Sequence, residues 1–308
     1  MTFRSGFAAV VGRPNVGKST LVNRLVGQKV AIVSDKPQTT RNRILAVVNR
    51  TAGQIVLLDT PGIHKPMHGM NERMVDAAVK TLPRVDVALW VIDVAERPGP
   101  GERYVRDVLK RAGKPVLLGI NKIDTVAKPR ILPVIEAYSR VMEFAEIVPF
   151  SALTGENAEV VAEQLLEHLP EGERLYPEDF LSDQPERFFV AEMIREQILE
   201  RTRDEIPSST GVVIDSFAEG EELVRIEASI LVERESQKGI LIGRGGAMLK
   251  AIGSAARREI EAFLGTKVQA ASVAKRRLLR PISTPARTWP EALVWSLLST
   301  TRATSLSS

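Results

Sequence analysis

The chain has 308 residues and a formal net charge of +4 at pH 7, and 44% of its residues are hydrophobic. This composition suffices for the packed cores of about two domains and excludes a wholly disordered chain. No apolar run approaches the roughly 18 to 20 residues that cross a bilayer. Cysteine is absent, which excludes disulfides, thiolate metal sites and cysteine nucleophiles. We therefore expect a soluble protein of the cytoplasm.

Short apolar runs alternate with helical patterns in the first half of the chain. The predicted strands span residues 7–11, 46–49, 54–58, 87–92, 116–121 and 147–150. The predicted helices span residues 18–25, 72–81, 104–111, 129–144 and 158–168. This alternation is typical of a doubly wound, mostly parallel α/β sheet.

The second half of the chain has a different pattern. Residues 170–185 are rich in proline and acidic side chains and show neither helix nor strand periodicity, so they are predicted to form a linker. A predicted helix (187–202), two strands (210–217 and 223–232) and helices flanking residues 243–246 follow. We predict an α/β domain at 1–172, a linker at 173–186, a smaller α+β domain at 187–275 and a divergent, poorly ordered tail at 276–308.

Residues 12–19 match a phosphate-binding loop and lie between a predicted strand and a predicted helix. Gly12 and Gly17 let the backbone curl so that its N–H groups and the helix N-terminus face a β-phosphate. Lys18 would neutralise the β- and γ-phosphates, and Ser19 would offer its hydroxyl to Mg²⁺. The candidate nucleotide-binding residues here are Gly12, Arg13, Pro14, Asn15, Val16, Gly17, Lys18, Ser19 and Thr20.

A second motif, Asp59, Thr60, Pro61 and Gly62, follows the predicted strand 54–58. Asp59 is expected to hold Mg²⁺ through water, and Gly62 to give its N–H to the γ-phosphate. Alone, this pattern is a common turn. Its place after a phosphate-binding loop favours a nucleotide switch.

Two further motifs end later strands and indicate guanine as the base. After Asn121 and Lys122, the carboxylate of Asp124 can accept both the N1–H and the exocyclic amine of guanine, and adenine offers it neither donor. The loop of Ser151, Ala152 and Leu153 is expected to present the Ala152 N–H to guanine O6. The sequence therefore predicts GTP and GDP as ligands.

In this order the motifs resemble those of the translation-factor-like GTPases, and residues 37–41 are similar to the first switch of that group. The resemblance implies that Thr40, or else Thr39, reaches Mg²⁺ when the γ-phosphate is present. The catalytic candidates are then Lys18, Thr40 and Gly62, and the metal candidates are Ser19, Thr40 and Asp59.

The residue after Gly62 is Ile63, where many small GTPases have the glutamine that orients the attacking water. Isoleucine cannot hydrogen-bond water, and the sequence has no obvious arginine finger, so we expect turnover well under about one per second without a partner or activating ion. Asn15 occupies the position that binds potassium in similar GTPases lacking this glutamine. The same side chain could instead pin the loop by hydrogen bonds.

Residues 243–246 (Gly-Arg-Gly-Gly) match the glycine loop with which KH domains grip about four nucleotides of a single strand. The tetrad alone is a weak signal, and its flanking helices and the preceding α-β-β pattern strengthen it. Lys and Arg are also concentrated in this C-terminal third, where they favour a polyanion partner or merely solvate the surface. The candidate RNA-binding residues are Lys238, Ile242, Gly243, Arg244, Gly245, Gly246 and Lys250.

Residues 237–250, together with residues 176–179 and 37–41, are similar to the Era-like GTPases, bacterial proteins with a C-terminal type II KH domain. The resemblance covers about residues 5–268. It implies a GTP switch that binds the 3′ end of 16S ribosomal RNA, helps to mature the 30S subunit and associates loosely with the inner membrane. We also expect a monomer.

The resemblance fails after Val268, where family members continue into a third alternating strand. We therefore expect that the final strand is short or lost. Two other interpretations stay open. A tRNA-modification GTPase or another ribosome GTPase would be favoured by a second G domain or a cysteine-bearing module, and neither is in the sequence. A passive RNA-binding module with a vestigial GTP site is disfavoured by intact Lys18, Ser19, Asp59 and Asp124.

Overall fold

A computed structural model describes residues 2–34, 43–60, 62, 79, 81–202, 210–220 and 223–272. The first part of the chain forms six strands: β1 (Arg4–Val11), β2 (Ile44–Arg50), β3 (Gly53–Asp59), β4 (Val87–Asp93), β5 (Val116–Asn121) and β6 (Glu146–Pro149). Their order in the sheet is β2-β3-β1-β4-β5-β6. β2 is antiparallel to β3, and the other neighbours are parallel. The predicted doubly wound, mostly parallel sheet is confirmed.

Helices cover both faces of this sheet: α1 (Lys18–Val26), α2 (Pro100–Ala112), α3 (Ile131–Ser139) and α4 (Ala158–Glu167). Alternate residues of each strand enter different apolar clusters, so that Ala8 and Val10 face α1 and α4 while Ala9 and Val11 face α2 and α3. Burial on both faces explains why the strands read as nearly continuous apolar runs.

Two helices have an end that differs by more than one residue from the predicted position. α2 begins at Pro100 rather than at residue 104, because proline fits the first helical position and the Glu102 carboxylate accepts the Gly99 N–H at 3.0 Å. α3 ends at Ser139 rather than at residue 144, although Phe144 beyond it still packs against Trp90. Most of the helix predicted at 72–81 lies outside the described residues.

The second part has the order α5 (Glu186–Arg201), β7 (Gly211–Glu219), β8 (Leu223–Leu231), α6 (Glu235–Ile242), α7 (Ala247–Leu264) and β9 (Lys267–Ser272). β8 is the central strand; it is antiparallel to β7 and parallel to β9. Of the two expectations for the final strand, short or lost, the first is confirmed: β9 is present, and its six residues make it shorter than the nine of β8. Val268 is buried in one apolar cluster with Val224 and Ile226 of β8. This contact anchors β9, although its sequence has no alternating apolar pattern. The predicted tail at 276–308 lies outside the described residues.

Residues 173–185, here called the strap, run from the first sheet to α5. Gln54 holds the strap, because its Oε1 accepts the N–H groups of Leu175 and Tyr176 at 2.9 Å and its Nε2 donates to the Tyr176 carbonyl at 2.9 Å. Further along, Val47 N–H donates to the Leu181 carbonyl at 2.9 Å. The strap thus covers the free edge of β2, which would otherwise expose unpaired backbone groups.

Candidate nucleotide and RNA sites

The phosphate-binding loop joins the end of β1 to the start of α1, and its shape depends on residues with positive φ. Gly12 has φ 150° and Gly17 has φ 95°. A Cβ on Gly12 would lie 2.2 Å from the Val91 carbonyl oxygen, and one on Gly17 would lie 2.1 Å from Asn121 Nδ2. Side chains are excluded at both positions, so the loop backbone can curl against β4 and β5. Asn15, with φ 64°, takes the left-handed conformation that asparagine tolerates.

Lys18 is the buried cation of this loop. Its Nζ donates to the Arg13 carbonyl at 2.8 Å and to the Gly12 carbonyl at 3.2 Å. Burial lowers the pKa of Lys18 to about 8, and the nearby charge of Asp59 opposes this shift. The amine is therefore held inside the curled loop, where its charge could be matched by a bound phosphate.

Ser19 and Asp59 form a polar pair suited to a hard cation. Ser19 Oγ donates to Asp59 Oδ2 at 2.7 Å, while the fully buried Asp59 Oδ1 has no hydrogen-bond partner among the described residues. Burial raises the pKa of Asp59 to about 6, opposed by Lys18 and by the Ser19 hydrogen bond. An unpaired carboxylate oxygen beside a hydroxyl fits Mg²⁺, which takes one or two carboxylates and completes its shell with phosphates and waters.

The second motif lies against the phosphate-binding loop. Thr60 Oγ1 donates to the Val10 carbonyl at 2.8 Å. A Cβ on Gly62 would lie 2.7 Å from the backbone nitrogen of Pro14, so only glycine fits this approach. Pro61, Ile63 and the predicted ligand Thr40 lie outside the described residues.

Asn121 connects the phosphate-binding loop with the loop of residues 151–153. Its Nδ2 donates to the Val16 carbonyl at 2.8 Å, and its Oδ1 accepts the Ala152 N–H at 2.9 Å. Lys122 Nζ lies 2.8 Å from Asp93 Oδ2, and Asp124 is exposed in a short 3-10 turn (Ile123–Thr125). Because the Ala152 N–H already has an acceptor, guanine O6 would have to share this donor with Asn121 or displace it.

The glycine loop of the second part joins α6 to α7. Gly243, Gly245 and Gly246 have φ values of 70°, 58° and 82°, and a Cβ on Gly243 would lie 2.7 Å from the Cβ of Met248. Arg244 and Lys250 are exposed beside the loop. Lys238 is half-buried and pairs with Glu235 on the same helix at 2.8 Å, and Ile242 is also half-buried. The loop thus presents open backbone and positive charge on one surface.

Comparison with known proteins places both sites in one family. A family model described as 50S ribosome-binding GTPase matches residues 7–122, and one described as KH domain matches residues 205–278. A crystal structure of Era in complex with MgGDPNP and nucleotides 1506–1542 of 16S ribosomal RNA is similar, with 42% sequence identity and a TM-score of 0.84 over 87% of this chain and 92% of that chain. This chain belongs to the Era family of GTPases.

A second Era structure agrees with this assignment. A variant of Aquifex aeolicus Era bound to GDP·AlF4⁻ is 42% identical, with a TM-score of 0.83, again over 87% of this chain and 92% of that chain. Era-family membership confirms a GTPase that uses GTP, GDP and Mg²⁺, built from a P-loop domain followed by a KH domain. Among the described residues, no helix is long and apolar enough to span a membrane.

Sequence reasoning missed two residues at the sites of this Era-family chain. Arg24, on α1, donates through Nε to the Ala152 carbonyl at 3.2 Å and through Nη2 to the Leu153 carbonyl, and so holds the loop expected to contact guanine. Ile240, close to the glycine loop, is 53% exposed. Its run of apolar neighbours predicted a helix but could not show which of them faces solvent.

Proposed function

We propose that this protein is a GTP-hydrolysing switch that binds the 3′ end of 16S ribosomal RNA and assists assembly and maturation of the 30S subunit. The observation that carries the proposal is the presence, in one chain, of a phosphate-binding loop with a matched magnesium pair and a KH glycine loop. The 42% identity to Era solved with MgGDPNP and 16S ribosomal RNA supports the assignment of both ligands.

The nucleotide half uses residues that the fold brings to one end of the sheet. We assign Ser19 and Asp59 to Mg²⁺, with Thr40 as the switch ligand, and Lys18 and the Gly62 N–H to the phosphates. Bound Mg²⁺ would neutralise charge on the β- and γ-phosphate oxygens. Asp124 selects guanine because its carboxylate accepts two donors that adenine lacks.

Hydrolysis to GDP and phosphate is expected to be slow in the isolated protein. Ile63 offers no hydrogen bond to an attacking water, so Lys18 and the switch residues act through positioning and charge. Potassium near Asn15 would supply further positive charge. If GTP turnover is the same in potassium and sodium buffers, the potassium assignment is wrong.

The RNA half consists of the residues around the glycine loop. A single strand would lie along Gly243, Gly245 and Gly246, with Arg244 and Lys250 contacting phosphates and Ile242 facing the bases. We keep the domain bounds 1–172 and 187–275, a monomeric state and a loose association with the inner membrane as predictions. The domain bounds rest on the composition of the linker, and the membrane association rests on the family resemblance.

The decisive experiment measures the affinity of the full chain for a single-stranded oligonucleotide from the 16S 3′ end, at a stated salt concentration. It is run with a GTP analogue and with GDP, and with a scrambled oligonucleotide as control. We expect tighter binding with the GTP analogue and weaker binding by Arg244→Glu. Weak, sequence-independent and nucleotide-independent binding would leave only the GTPase half of the proposal.

A further inference from the structure

The side chain of Arg13 leaves the phosphate-binding loop sideways and ends between two carboxylates. Its Nη1 lies 2.8 Å from Glu96 Oε2, just after β4, and 3.1 Å from Glu102 Oε1, in the first turn of α2. The stem of Arg13 crosses Gly101, where a Cβ would lie 3.1 Å from its Cδ and Nε. The loop is therefore connected to α2 by an ion pair and by close packing.

Glu102 is the fixed end of this connection. Its side chain is only 3% exposed, against 38% for Arg13 and 35% for Glu96. Its Oε1 accepts a hydrogen bond from the Arg13 guanidinium, and its Oε2 accepts the Gly99 N–H at 3.0 Å. A carboxylate this buried needs a cationic partner, since an uncompensated buried charge is strongly unfavourable. The charge of Glu102 therefore holds the Arg13 guanidinium at the start of α2.

The backbone of Arg13 contacts the catalytic lysine. The Arg13 carbonyl accepts a hydrogen bond from Lys18 Nζ at 2.8 Å, shorter than the 3.2 Å bond to Gly12. A shift of Arg13 would therefore move the acceptor that locates the buried amine. Because its guanidinium is engaged by two carboxylates, Arg13 contributes through the loop rather than by contact with a phosphate.

We propose that Arg13 and Glu102 are positioning residues, whose ion pair anchors the phosphate-binding loop to the start of α2 and so places Lys18 for the nucleotide. This inference rests on the GTP site proposed above. It assigns a role to a loop side chain and to a helix residue 89 positions away in sequence. The phosphate end of the nucleotide depends on this anchor, whereas guanine recognition by Asp124 does not.

The first variant is Glu102→Gln, which removes the charge but keeps an oxygen to accept the Gly99 N–H. We expect the Kd values of GDP and of a GTP analogue both to rise about tenfold, the effect of losing one charge-assisted hydrogen bond. The ratio of GDP to inosine diphosphate affinity should not change, because these ligands differ only at the amine that Asp124 reads. Asp107→Asn, which removes an ion pair with Arg106 on the same helix, is the matched control.

Two further variants separate positioning from simple loss of stability. Gly101→Ala keeps both charges and presses on the Arg13 stem, so it should also weaken GDP binding. Arg13→Met leaves Glu102 buried without its cation, and the double variant R13M/E102Q should bind GDP more tightly than Arg13→Met alone. All affinities are measured below the onset of thermal unfolding of each variant.

Several results would contradict a positioning role for the Arg13–Glu102 ion pair. GDP affinity of Glu102→Gln within about twofold of wild type, the margin for independent sites, would overturn it. A parallel loss in Asp107→Asn, a changed ratio of GDP to inosine diphosphate affinity, or no rescue in the double variant would also overturn it. Failure of the unmodified protein to bind GDP would overturn the proposed function as well.

Discussion

Asp124 is the residue on which guanine selection is expected to depend. In Asp124→Asn, the charged acceptor of two hydrogen bonds becomes an amide that accepts one and donates one. We expect GDP affinity to fall on the order of 100-fold, since hydrogen bonds to charged groups are worth about 1.5–3 kcal/mol each. Xanthosine diphosphate, which has an oxygen in place of the amine, should bind the variant more tightly than wild type. Calorimetric titration of both ligands, with Asp107→Asn as control, checks this, and an unchanged preference for GDP would contradict it.

Ser19 is expected to couple nucleotide binding to Mg²⁺. Ser19→Ala removes the hydroxyl that now donates to Asp59 and that we assign to the metal. In excess Mg²⁺, the GDP affinity of the variant should fall about tenfold, whereas with EDTA both proteins should bind alike. Fluorescence titration in the two buffers measures this. Ser139→Ala, which removes a hydroxyl bonded within α3, should behave as wild type. An equal loss in both buffers would mean that Ser19 acts without the metal.

The sequence identified contiguous motifs but not the distant residues that contact them. Residues 12–19 were recognisable because their glycines, lysine and serine have fixed spacing, and the structure places them in one loop between β1 and α1. Nothing in the sequence connected Arg13 to Glu102 or Arg24 to Ala152, because these partners are 89 and 128 positions apart. The engagement of the Ala152 N–H by Asn121 also depends on tertiary packing rather than on the motif.

Strands were predictable where burial on both faces of the sheet requires a continuous apolar run in the sequence. All six strands of the first sheet were found, with their ends displaced by up to three residues. For β9 the sequence left open whether the strand is short or lost, because residues 267–272 lack the alternating apolar pattern and the strand is held by its pairing with β8. The strap was predicted as a linker without helix or strand periodicity, and its attachment depends on tertiary contacts with Gln54 and β2 that no local pattern shows.

Gln54 is expected to hold the strap against the first sheet. Gln54→Ala removes the acceptor of two strap N–H groups and the donor to the Tyr176 carbonyl. We expect the free energy of unfolding to fall by about 2–3 kcal/mol, because three partly buried backbone groups of the strap lose their partner. Protease cleavage within residues 173–185 should become faster. Urea denaturation and mass spectrometry of the fragments measure both effects, and Gln184→Ala, at the far end of the strap, is the control. Unchanged cleavage would show that Gln54 does not hold the strap.

At the scale of the whole molecule, residues 29–33, which precede the predicted first switch, contact the KH part. Lys29 pairs with Glu196 on α5 and lies 2.6 Å from Glu259 on α7. Glu196 Oε1 also accepts the Val33 N–H at 3.0 Å. Burial raises the pKa of Glu196, and the hydrogen bond and charge of Lys29 oppose the shift. Because residues 37–41 form the predicted switch, a nucleotide-dependent movement there has a short route to α5 and α7.

Lys29→Met tests this route. The substitution keeps an unbranched side chain that is one atom shorter and leaves Glu196 and Glu259 without their shared cation. The contact between residues 29–33 and the two helices should therefore weaken. GDP and GTP-analogue affinities should stay as in wild type, since no nucleotide ligand is changed. The ratio of RNA affinities measured with GTP analogue and with GDP should fall toward one. Lys128→Met, which removes an exposed pair with Glu156 in the first part, is the matched control. If Lys29→Met keeps the wild-type ratio, the nucleotide state reaches the KH part by another path, and residues 29–33 serve only to hold the two parts together.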